Sequence, residues 1–173
     1  GLLVVAKNDE AHLHLSAQLK EHHVSRIYTA IAVGNFREES GTVDAPIGRH
    51  PVDRKKMAVI RDGAHTARPA VTHYRVLERF GAITHLALRL ETGRTHQIRL
   101  HLSASGFPIV GDCLYGRVCD GAERTMLHAA RIVFPHPIDG QKRVLTAPLP
   151  EDFSALLLRY GLPLFDPASL PTE

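Results

Sequence analysis

Hydrophobic positions along this chain recur with two periods, and the switches between them mark the elements. Leu2-Leu3-Val4-Val5-Ala6 is an unbroken apolar run that reads as a buried strand. A core strand with only Gly1 ahead of it makes the chain read as a fragment. Ala11, Leu15 and Leu19 then recur every four residues. They follow Asn8, a good helix cap, and Asp9 and Glu10, which suit a helix N-terminus, so the pattern predicts a helix over 9–21. Residues 26–33 are β-rich and stop at Gly34-Asn35, a turn signal. A short strand is expected at 42–45 and a longer one over 66–78, where Val71, His73 and Arg75 alternate with Thr72, Tyr74 and Val76. In 83–91, Leu86, Leu88 and Leu90 point one way while His85, Ala87, Arg89 and Glu91 point the other. Thr92-Gly93 breaks that strand, and a helix over 95–105 is closed by Gly106 with Pro108 beyond it. Residues 111–125 read as a loop, 127–134 and 143–146 as strands around the turn 137–140, and 153–160 as a last helix ending at Gly161. Strands outnumber helices and often follow one another. The expected class is α+β, a mixed, largely antiparallel sheet with flanking helices. One domain is expected over 1–162, with a proline-bearing extended tail over 163–173.

Composition narrows the class only slightly. The chain has 173 residues, 44% hydrophobic and 23% charged, as expected of one globular domain rather than a disordered chain. No apolar run approaches the ~20 residues of a membrane-spanning helix. The first residues lack the basic leader of a signal peptide. Cys113 and Cys119 read as free thiols of a reducing cytoplasm, the expected location. A net charge of +3 does not argue for nucleic-acid binding, but its distribution bears on it. Arg49, Arg54, Lys55, Lys56 and Arg61 crowd into 49–61 against one acid, Asp53. On charge alone that stretch is either a solvated loop or a phosphate-contacting one.

The richest chemistry lies in Leu90-Glu-Thr-Gly-Arg-Thr-His-Gln-Ile-Arg-Leu-His-Leu102. A strand, a glycine turn and a helix start are decorated there with donors. Exposed amides after Gly93, together with Arg94, suit a phosphate or carboxylate. Arg99 sits beside the apolar stripe of Ile98 and Leu102, so its guanidinium needs an anionic partner. That partner is either a structural carboxylate or one belonging to a site. Tyr28, in mid-strand, is either a core aromatic or a pocket group able to stack on a base. Twelve histidines invite a metal reading, but none has ligand spacing, and no Walker or dinucleotide fingerprint is present.

Four segments together resemble one family. They are Gly1-Leu-Leu-Val-Val-Ala-Lys7, Arg26-Ile-Tyr-Thr-Ala-Ile-Ala-Val-Gly34, Leu90 to His101, and Gly111-Asp-Cys-Leu-Tyr-Gly116. The family is that of the RluA/RluD-type pseudouridine synthases, which isomerise uridine in structured RNA. Gly41 to Pro51 and Pro69 to Arg75 look most like the branch acting on large-subunit ribosomal RNA. The family's nucleophile is an aspartate in a His-Arg-Leu-Asp stretch just before the Gly-Leu-Leu-Val-Val-Ala-Lys segment. That places it upstream of Gly1, so the 173-residue chain by itself is expected to be inactive. The resemblance implies that Tyr28 packs on the uracil and that Arg99 pairs with the nucleophile. It gives Leu90 a pocket wall, and Arg94 and His96 RNA contacts, alongside Arg49, Arg54, Lys55 and Lys56. It further implies an RNA partner, no metal or nucleotide cofactor, no membrane, and a monomer. The alternative is a non-catalytic RNA-binding or ribosome-associated module.

Overall fold

The computed structural model describes residues 1–53, 55–60, 67–116 and 122–170. Helix α1 spans Asp9–Lys20, and the Asn8 side chain caps it by accepting from the Ala11 amide at 2.9 Å. Strands β1 (Ser25–Val33), β2 (Ser40–Asp44), β3 (Ile47–Arg49), β4 (Met57–Val59), β5 (Val71–Phe80) and β6 (Ile83–Leu90) follow. Helix α2 (Gln97–Ala104), strands β7 (Leu127–Pro135) and β8 (Lys142–Thr146), and helix α3 (Glu151–Arg159) complete the elements, before a 3-10 turn at Pro167–Ser169.

Six strands form one sheet in the order β2-β5-β6-β1-β7-β8, and β3 and β4 form a separate hairpin. The pairings within both are antiparallel. Central β6 is buried on both faces, so the alternation that identified it as a strand does not mark a solvent side. One face of the sheet, with Leu86, Leu88 and Leu90, shares a core with Ile98 and Leu102 of α2 and Phe153 and Leu157 of α3. Ile27, Ala87 and Ala130 form a second cluster with Leu170, against which Phe165 packs. The C-terminal tail therefore does more than trail. Arg131 Nη1 donates to the carbonyls of Ala168 and Leu170, both at 2.8 Å, and ties the tail to β7.

Three further sequence expectations need correcting. Leu2–Ala6 forms no strand, and Leu3 and Val5 are 84% and 70% exposed. A strand needs a ladder, and this segment makes one ladder-like bond, from the Leu2 amide to the Ala129 carbonyl at 2.9 Å. Helix α1 forms where its pattern predicts, yet none of its residues is buried. Part of the basic stretch is not loop but β4, paired with β3 from Ile47↔Val59 to Arg49↔Met57. Cys113 is disulfide-bonded rather than a free thiol, while Cys119 lies outside the described residues. Among the described residues, no helix is long and apolar enough to cross a membrane.

Candidate active site

The turn that enters α2 is organised by one side chain. Gln97 Oε1 accepts from the Arg94 amide at 3.0 Å and the Thr92 hydroxyl at 2.7 Å. Its Nε2 donates to the Val71 carbonyl at 2.9 Å and to Thr72 Oγ1 at 3.0 Å. The 92–97 turn is thereby fastened to β5. His96, at the helix cap position, holds a left-handed φ of 57° and offers no side-chain cap. Its ring turns instead toward Tyr115, with Nδ1 and the phenol oxygen 3.0 Å apart. The same oxygen accepts from the Met57 amide at 2.9 Å and keeps a hydrogen that it can donate to His96 Nδ1. Burial, and then the Arg99 charge, hold the His96 pKa below its usual value, which suits a neutral acceptor.

Arg99, one turn into α2, finds its carboxylate inside the chain. Nε donates to Asp112 Oδ2 and Nη2 to Asp112 Oδ1, both at 2.8 Å, a two-pronged pair. The Asp112 side chain is 1% exposed and that of Arg99 21%. Asp112 Oδ1 also accepts from the amides of Leu114 and Tyr115, each at 3.1 Å. Burial alone would raise the Asp112 pKa; the Arg99 hydrogen bonds and the two amides outweigh it, and the net direction is down. The hydrogen bonds to Asp112 in turn push the Arg99 pKa up. The guanidinium lies 5.1 Å from the centre of the Tyr115 ring. Of the alternatives left by the sequence, a structural carboxylate is therefore the partner seen, with Nη1 free of hydrogen bonds among the described residues.

Tyr28 occupies a different wall. It stands on β1 opposite Leu88 of β6 and Ala129 of β7, at a register shift between Ile27 and Tyr28. It lines a cavity of about 350 Å³, together with Arg26, His12 and Leu15. Such a volume is ample for a small ligand. Arg26, two residues before Tyr28, reaches the glycine turn: a Cβ at Gly93 would come 2.4 Å from Arg26 Nη1. Tyr28 and Arg99 are linked by no hydrogen bond or ring contact among the described residues.

The other expected residues divide between these walls. Leu90 is 8% exposed and packs in the main core cluster, so it does not line the Tyr28 cavity. Arg94 Nε donates to the Pro69 carbonyl at 3.0 Å, which orients its head at the turn. Arg49 and Lys55 are exposed on the β3–β4 hairpin, and Lys56 lies 3.9 Å from Asp53. Arg54 lies outside the described residues. The bond from Met57 to Tyr115 joins this basic hairpin to His96 and Arg99. Sequence reasoning assigned no role to Asp112, Tyr115 or Arg26. The first two lie within Gly111–Gly116, a segment the family resemblance had singled out, whereas Arg26 is a strand-start arginine with no local signal of a role. Among the described residues, no three His, Cys, Asp or Glu side chains cluster to hold a metal.

Comparison with known proteins bears on what such a site does. Residues 1–104 match a family model described as RNA pseudouridylate synthase. The chain is 50% identical over 171 residues to the ribosomal large subunit pseudouridine synthase D of Pseudomonas aeruginosa, covering 91% of this chain and 52% of that protein. It is 48% identical to the protein of the same name from Nitrosomonas europaea, with 91% and 47% covered. The chain thus spans about half the length of these relatives. Among solved structures, human RNA pseudouridylate synthase domain containing 4 is similar with a TM-score of 0.78 and 26% identity, over 95% of this chain and 72% of that one. Human RNA pseudouridylate synthase domain containing 1 is similar with a TM-score of 0.72 and 32% identity, over 84% and 63%.

Proposed function

The chain belongs to the RNA pseudouridylate synthase family, and from that premise we propose that the protein isomerises uridine to pseudouridine in large-subunit ribosomal RNA. The observation that carries this reading is where the family match falls. Residues 1–104 include Tyr28, Leu90, Arg94, His96 and Arg99 together. The relatives named for the ribosomal large subunit support the choice of RNA.

The reaction is redox-neutral. The bond from C1′ to N1 breaks, the uracil turns, and a bond from C1′ to C5 forms. C5 then gives up its proton, while N1 gains one. The target base must first leave its stack. In this reading Tyr28 packs on the uracil at the cavity mouth and takes the C5 proton. Arg99 Nη1, which Asp112 leaves without a partner, holds the nucleophilic carboxylate ionised. The resemblance assigns that carboxylate to the segment N-terminal to Gly1. Gly1 packs on Ala129, where an added Cβ would come 2.6 Å from the Ala129 nitrogen, and Ala129 pairs with Tyr28. A polypeptide entering through Gly1 therefore passes beside the strand neighbour of Tyr28. Arg49, Lys55, Lys56 and Arg94 contact phosphates, which supplies affinity without base specificity.

The test uses the protein extended upstream of Gly1 through the His-Arg-Leu-Asp segment, incubated with ribosomal RNA and assayed for pseudouridine. Product is expected. Arg99→Ala is expected to lower turnover by about a hundredfold or more and leave RNA affinity nearly unchanged, because its partners are carboxylates rather than phosphate. No product above background from the extended protein would overturn the reading.

A further inference from the structure

We propose that Arg26 is an anion-binding group of the cavity beside Tyr28, its guanidinium taking an anionic oxygen brought to the cavity from outside the described residues. The oxygen is that of a phosphodiester of bound RNA, because Arg26 shares its cavity with Tyr28 and lies against the turn that carries Arg94. The inference rests on the reading above, and deepens it by naming a second charged group at the site.

Arg26 differs from four other arginines of the described residues. Arg79, Arg99, Arg124 and Arg143 each hold a carboxylate: Glu39, Asp112, Asp152 and Asp139 respectively. Arg26 has no ion-pair partner among the described residues, and its Nε is buried without a hydrogen-bond acceptor. Arg131 Nε is likewise unmatched, but its Nη1 is anchored on two tail carbonyls. Leaving a desolvated guanidinium donor unmatched is expensive, and the cost is relieved by an oxygen anion, which accepts from two nitrogens at once. Nη1 lies against Gly93, where an added Cβ would press on it, so the guanidinium sits beside the turn that carries Arg94. Burial presses the Arg26 pKa down. Strand geometry puts residues 26 and 28 on one face, and both line the cavity.

The extended protein and two variants test this, with RNA affinity measured over a salt series and turnover measured separately. Arg26→Gln removes the charge. Arg26→Met removes the charge but keeps the apolar stem, and it decides the matter if Arg26→Gln does not fold. If the oxygen is a phosphate, each variant lowers the slope of log K against log salt, Arg26→Gln by about 0.7–0.9. A slope that stays while turnover falls by about a hundredfold overturns the phosphate and points to a carboxylate instead. A folded variant that keeps both the slope and the turnover of the parent overturns the proposal. An extended parent that makes no pseudouridine counts against the function instead, and the salt slope still tests Arg26.

Discussion

Replacing Asp112 by Asn changes one oxygen to an amino group and opens no cavity, so it isolates the charge. In the native protein Asp112 receives four hydrogen bonds, two from Arg99 and two from backbone amides. An Asn there keeps its carbonyl oxygen for the amides of Leu114 and Tyr115, but its NH2 group then faces the Nε–H of Arg99, donor against donor. One charge-assisted bond is lost, worth about 1.5–3 kcal/mol, and the guanidinium loses its counter-charge. Removing one partner of a buried pair costs about 3–5 kcal/mol. Arg99 is 21% exposed and recovers part of this from water, so the lower end, about 3 kcal/mol, is expected. Urea unfolding at pH 7, with the slope of the transition compared between variant and parent, reads the difference. The folded-state pKa of Asp112 is lowered, so its contribution is complete above the unfolded value of about 3.9 and disappears as the pH falls through the lower folded value. The two proteins should therefore converge in strong acid. A destabilisation under about 1 kcal/mol at neutral pH, or a gap that persists in acid, refutes the account of the pair.

Two further outcomes follow from other parts of the molecule. Replacing Lys55 and Lys56 with Ala should make the salt dependence of RNA binding shallower by a slope of about 1–2, and an unchanged slope would return the hairpin tip to a merely solvated face. His85 is 1% exposed, and burial pushes its pKa down to about 4. The Thr29 hydroxyl donates to the Leu86 carbonyl at 3.1 Å and accepts from His85 Nε2 at 2.7 Å, which makes Nε2 the donor nitrogen, while burial disfavours the charged ring. The folded state thus resists a proton that the unfolded chain takes up near pH 6.5, and stability falls as the pH drops from about 6.5 to 4, by about 3 kcal/mol. Thermal or urea unfolding over that range should show the loss, and a His85→Leu, Thr29→Val protein should lack most of it.

Much of this was legible in the chain, for reasons that differ by element. Strand β6 announced itself by alternation and α1 by its Asn8 cap, because both signals are local. Residues 2–6 misled because apolarity shows what a segment would bury and not whether a neighbour offers a ladder. Hairpin strand β4 is only three residues long, too short for a period to show inside a basic stretch. At the site, the physics of α2 demanded an anion for Arg99 but could not name it, since Asp112 is thirteen residues away across a helix and a loop. Arg26 was hidden for the converse reason: a strand-start arginine looks solvated until the turn at Gly93 is folded against it.

The phenol of Tyr115 receives the backbone amide of residue 57, not its side chain. The arm carrying Arg49 and Lys55 is thus moored by a group that every amino acid except proline possesses. Its surface residues are free to drift through evolution while the mooring to the arginine centre stays intact.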